Sequence, residues 1–64
     1  MSKIQFFTKV EPATCAAFFL REKKMHAGAH VKSWERDSPY GGKIHGFVVE
    51  VGQGRYLRLD GSIQ

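Results

Sequence analysis

Lys43-Ile-His-Gly-Phe-Val-Val-Glu-Val51, Gly52-Gln-Gly54 and Arg55-Tyr-Leu-Arg-Leu59 run on without interruption, and their period decides the fold class. Phe47, Val49 and Val51 fall on one side of an extended chain, with Ile44 and Val48 on the other. Leu57 and Leu59 then alternate against Tyr56 and Arg58. Two alternating runs joined by a three-residue, glycine-flanked link predict an antiparallel hairpin. Asp60-Gly-Ser62 predicts a further turn, which leaves Ile63 to close the tail.

Upstream the period changes. Ile4, Phe6, Thr8 and Val10 alternate with polar neighbours as in a strand with one buried face, and Phe7 puts an aromatic on its outer side. Pro12 suits the first turn of a helix, where its missing N–H costs nothing, and Glu11 complements the helix dipole. From Pro12 to about Met25 the residues are mostly good helix formers. At 100° per residue Met25, Phe18, Cys15, Phe19, Ala16 and Leu20 make one apolar arc, opposite Thr14, Arg21 and Lys24. This arc is the expected core face, with Cys15 shielded among the aromatics and Gly28 as the C-cap. His30 to Arg36 reads as a short strand, with Trp34 as either its core residue or an exposed anchor. Asp37-Ser-Pro-Tyr-Gly-Gly42 reads as a loop. The expectation is one α+β domain over residues 1–64, with one helix packed on a three- to four-stranded, mainly antiparallel sheet in β-α-β-β-β order.

Size and composition narrow the function classes. A chain of 64 residues buries only about 60% of its unfolded surface, so its core is small and a homodimer is a natural expectation. Eight aromatic residues and 42% hydrophobic content argue against disorder. A single cysteine rules out an intrachain disulfide and favours a reducing, cytoplasmic setting. Lys9, Glu11 and Pro12 interrupt any signal-peptide core, and the mainly apolar eight-residue run from Ala13 to Leu20 is too short to span a bilayer, so no membrane partner is expected.

Charge is the main functional signal. The chain carries net +4, and Arg21-Glu-Lys-Lys-Met-His-Ala-Gly-Ala-His-Val-Lys32 holds four basic residues against Glu22 alone. Such a segment attracts phosphates or an acidic protein surface. Arg21, Lys23, Lys24 and Lys32 are the candidate point-charge contacts, with His26 and His30 as extra donors. Arg36 and Lys43 extend the patch where the next loop folds back, and Tyr40, Arg55 and Arg58 form a second rim. A helix end whose lysines serve only solubility is the competing explanation.

Other chemistries fare worse. His26 and His30 have the spacing of a metal-binding pair, which Cys15 and His45 would have to complete. Structural zinc sites in small domains show two close pairs, and Cys15 has none. A nucleophilic Cys15 would need a substrate pocket that a domain of this size seldom holds. Ser38-Pro-Tyr-Gly-Gly-Lys43 lacks the GxxxxGK[ST] pattern of a phosphate loop, with Ile44 where Ser or Thr belongs. Tyr56-Leu-Arg-Leu-Asp-Gly-Ser62 resembles an element of helicase-like ATPases of the chromatin-remodelling type, without the nucleotide-binding motifs that accompany it there.

The expected function is thus a small non-enzymatic module, without cofactor, that docks on nucleic acid or a nucleoprotein complex. Its size and charge suit a phage or mobile-element inhibitor of a host nucleic-acid machine, of the anti-CRISPR type. The alternative is an assembly protein in which strand edges and the outward aromatics Phe7, Tyr40 and Tyr56 drive homodimerisation or β-strand addition to a protein partner.

Overall fold

The computed structural model describes residues 2–64. It contains helix α1 (Val10–Lys23) and strands β1 (Ala29–Asp37) and β2 (Lys43–Val51). The strands form an antiparallel pair in a register that runs from Ala29↔Val51 to Asp37↔Lys43. Their turn closes where the Ser38 N–H donates to the Gly42 carbonyl at 3.0 Å, with Gly41 and Gly42 both at positive φ. Lys43 Nζ reaches Asp37 across the turn at 2.6 Å.

The α+β class stands, but the β-α-β-β-β sheet does not. The predicted first and last strands are single bridges, Ile4↔Arg58, Phe7↔Phe47, Glu50↔Tyr56 and Leu57↔Ile63. The physical cause is divided pairing. Phe7 and Phe47 exchange both backbone bonds (2.8 and 2.7 Å), while Gln5 donates to Leu57 and Leu59 donates to Lys3. Residues 55–59 likewise split their bonds between Val49, Val51, Ser62 and Gln64. Each segment serves two or more partners, so none builds a ladder beyond β1–β2.

The helix starts at Val10, two residues before the expected Pro12, which still lies in the first turn. Its buried stripe is Ala13, Ala17 and Leu20, at i, i+4 and i+7; of the arc expected from hydrophobicity, Leu20 is buried and Ala16 half-buried. Phe18 (57% exposed), Phe19 (50%) and Met25 (87%) face outward, and Cys15 is exposed rather than shielded. Alanines on the contact face let the helix approach the strands closely, and bulkier side chains there would hold it off. Ala17 and Leu20 cluster with Ala29, Val49, Val51 and Leu57, flanked by Phe7, Ala16, Val31 and Ile63. Phe7, expected to point outward, therefore belongs to the helix side of the sheet.

Met25, not Gly28, takes the left-handed position after the helix, at φ 58. The His26 N–H then reaches back to the Leu20 carbonyl at 3.0 Å. A side chain in that conformation costs roughly 1–2 kcal/mol, and the exposed Met25 side chain returns little of it. Met25→Gly should stabilise the domain by about 0.5–1 kcal/mol, read as a raised urea midpoint at unchanged slope.

The core assignment separates two neighbours on α1. Leu20→Ala should cost about 2–5 kcal/mol, a large part of the stability of so small a domain. Phe19→Ala, half-exposed at its site, should cost only about 1 kcal/mol. Denaturant titration of both variants checks the order, and the reverse order would refute the alanine stripe as the contact face.

Candidate nucleic-acid interface

Strand alternation gives the sheet two dissimilar faces. Odd-numbered residues of β1 and β2 share the face that bears α1, where Ala29, Val31, Val49 and Val51 pack under the helix and Ser33, Glu35, Asp37, Lys43 and His45 lie exposed. The even-numbered face bears His30, Lys32, Trp34 and Arg36 opposite Glu50, Val48, Gly46 and Ile44. Tyr56 and Phe6 join this face through their bridged segments. Val48 is fully buried although it points away from the helix. The rings of Trp34, Tyr56 and Phe6 are the large groups on that side.

These rings carry the cations. Trp34 and Tyr56 meet edge to face with centroids 5.4 Å apart. Lys32 Nζ lies 5.8 Å from each ring centre, and the Arg36 guanidinium carbon lies 4.7 Å from that of Phe6. Such contacts hold the cations in place while leaving them exposed. Gly46 makes the arrangement possible, because a Cβ there would run into both the Phe6 ring and the Phe7 carbonyl.

Glu50 anchors one end of the face, with its side chain only 13% exposed. It accepts the Gly54 N–H at 3.2 Å, lies 2.9 Å from His30 Nε2 and stands 3.9 Å from Lys32 Nζ. The Gly54 bond first, then His30, Lys32 and Tyr56, hold its carboxyl below the ordinary 4.5 despite partial desolvation. Asp60, which accepts both the hydroxyl and the N–H of Ser62, is also lowered.

The basic residues singled out in the sequence do not form one surface. Arg21 donates to the Ala29 carbonyl at 2.7 Å and so braces the helix against the end of β1. Lys23 and Lys24 are exposed at the helix end, Lys24 over the Phe19 ring at 6.0 Å. Lys24 and His26 border an open, mainly apolar cleft of about 390 Å³ over Leu20, Leu57 and Ile63. This cleft lies on the helix side. Lys32, Arg36 and His30 lie on the opposite face, where His30 also contacts the Gly28 carbonyl at 2.9 Å. Lys43 is engaged with Asp37, and Tyr40 projects from the turn, 97% exposed. Arg55 is exposed beside the Gly52–Gly54 link. Arg58 is half-buried and donates to the Ser2 and Gln64 carbonyls at 3.0 and 3.3 Å.

Phe6 is not among the sequence-based candidates, and the sequence alone does not separate Trp34 as core from Trp34 as anchor. The usable signal was the even-numbered run Lys32, Trp34, Arg36, with cations on either side of an aromatic. Among the described residues, no group of three His, Cys, Asp or Glu side chains is placed to hold a metal ion. No helix among them is long and apolar enough to cross a membrane. No protein-family model matches the chain, and no curated protein or solved structure matches it either.

The Glu50 network makes a pH prediction. A carboxyl lowered in the folded state stabilises above its ordinary value, and that contribution is lost as pH falls through the folded value. Stability should therefore decline on acidification below about pH 4.5. Glu50→Gln, which cannot titrate, should shrink that decline and leave only the part due to Asp60 and other carboxylates. Thermal melts between neutral pH and pH 3 would show an unchanged decline if Glu50 carried none of it.

Proposed function

We propose that this chain is a non-enzymatic binding module that docks on nucleic acid, free or within a nucleoprotein complex, through the even-numbered face of its sheet. The supporting observation is the interleaving of Lys32 and Arg36 with the Trp34, Tyr56 and Phe6 rings. Cations set among aromatic faces combine the two attractions that unpaired nucleotides offer, phosphate charge and base stacking. The helix-end cations Lys23 and Lys24 lie on the other side and fit a secondary role in long-range attraction. Inhibition of a host nucleic-acid machine by a phage or mobile element is one setting for such a module, supported by size and charge.

Trp34 is the sole tryptophan, so its fluorescence reports directly on this face. Titration with a single-stranded oligonucleotide should quench it, and the affinity should fall steeply with salt. Lys32→Gln/Arg36→Gln should weaken binding by roughly tenfold or more and reduce the salt slope by about two phosphates' worth. Both positions are exposed, so the fold should survive. Lys23→Gln/Lys24→Gln should have the smaller effect. If the helix-end pair carries the loss instead, the sheet face is not the contact surface. Unchanged Trp34 emission at low salt with single-stranded and duplex DNA and RNA would end the nucleic-acid reading.

A further inference from the structure

The two edges of the β1–β2 pair are treated differently. Even-numbered β1 residues bond to β2, a phase marked at one end by the Ser38–Gly42 bond and at the other by Gly52 N–H to the Gly28 carbonyl. The odd-numbered residues of β1 therefore direct their N–H and C=O groups outward. At Ala29 both are used, by the His26 carbonyl and the Arg21 guanidinium. At Val31, Ser33, Glu35 and Asp37 the backbone groups have no partner among the described residues. The outer edge of β2, by contrast, is covered at Phe47, Val49 and Val51. An open edge of this kind is a template for another strand, and β1 carries no proline or bulge to block it.

A second observation concerns the helix flank that Arg21 ties to the Ala29 end of that edge. At 100° per residue, Val10, Thr14, Phe18 and Arg21 share one flank of α1, and Arg21 shows that this flank faces the outer edge of β1. Phe18 and Val10 are 57% and 46% exposed there. An exposed apolar helix flank and an open backbone edge thus start from the same Arg21–Ala29 corner.

We infer that this space takes a second copy of the chain, joined β1 to β1 in antiparallel fashion about a two-fold axis through Ser33. In that register Ser33 pairs with Ser33, and Val31 with Glu35, while Asp37 falls opposite Ala29, whose backbone groups are already occupied, and pairing ends there. Lys32 falls opposite Trp34 of the second copy, a favourable cross-strand cation–aromatic pair. His30 falls opposite Arg36, where the Glu50 carboxylate bound to His30 balances the charge. A slip of two residues either way opposes Lys32 to Lys32 or to Arg36, and like charges disfavour both. The two helices come to lie on the same side of a continuous four-stranded sheet, with the Phe18 flanks turned towards the junction. This assembly does not depend on nucleic-acid binding and holds whether or not that reading does.

Sedimentation equilibrium at roughly 10–500 µM, the range suited to a small and partly polar interface, should show a reversible monomer–dimer exchange. Ser33→Pro deletes an N–H that bonds to nothing among the described residues and bars the incoming strand. It should keep the circular dichroism of the parent and sediment as a monomer. Cross-linking tests the register even if that variant misfolds. In a Cys15→Ser background, Ser33→Cys should form a disulfide-linked dimer on mild oxidation, because hydrogen-bonded opposite residues lie about 5.5 Å apart at Cα. Glu35→Cys should not, since its two copies would lie about 14 Å apart along the strand. A parent protein that stays monomeric across the range, a folded Ser33→Pro dimer, or cross-linking at Glu35 rather than Ser33 would each overturn the inference. Monomers that pair only with strands of another protein would make the edge a site of β-addition to that protein.

Discussion

Because Gly46 lacks a side chain, the Phe6 ring and the Phe7 carbonyl can lie directly against β2. That approach lets the amino-terminal segment bond to Phe47 and occupy the edge of β2 that β1 leaves open. Consecutive residues of the segment then serve opposite faces: Phe7 completes the apolar layer under the helix, and Phe6 supports Arg36 on the other side. A methyl group at position 46 would displace both. The helix-side core and the cationic–aromatic face thus share one steric condition.

The fold was legible where its period was strong. The alternation of Phe47, Val49 and Val51 against Ile44 and Val48 located the central strand and both of its faces. The loop from Asp37 to Gly42 and the glycine link at Gly52–Gly54 marked the chain reversals. The helix was legible as a helix but not in its orientation. Hydrophobicity weights favour Phe18 and Phe19, whereas close packing on a sheet favours small residues, and Ala13 and Ala17 take the contact face. Ladder length was also beyond the local pattern, because the split of bonds among residues 3–7, 55–59 and 62–64 arises only once all three meet in space.

The candidate surface shows the same division. Sequence proximity grouped Arg21, Lys23, Lys24 and Lys32, yet the chain passes from the helix side of the sheet to its opposite face between Lys24 and Lys32. Charge density along the chain therefore overstated the density on any one side. What remains on the sheet face is smaller in charge but richer in structure, since Lys32 and Arg36 are seated on rings rather than extended into solvent. The local signal was an aromatic between two cations at strand spacing, and its meaning depended on Tyr56 and Phe6 arriving from distant positions.

Arg58 brings residues 2 and 64 together. One guanidinium holds the Ser2 carbonyl and the Gln64 carbonyl, so residues near the opposite ends of the sequence lie within a side chain's reach of each other. A short linker could therefore join them, and new ends could be opened in the exposed turn around Tyr40, giving a circularly permuted chain with the same core. The same proximity suits the domain to insertion within a surface loop of a carrier protein, whose two cut ends need hardly separate to receive it.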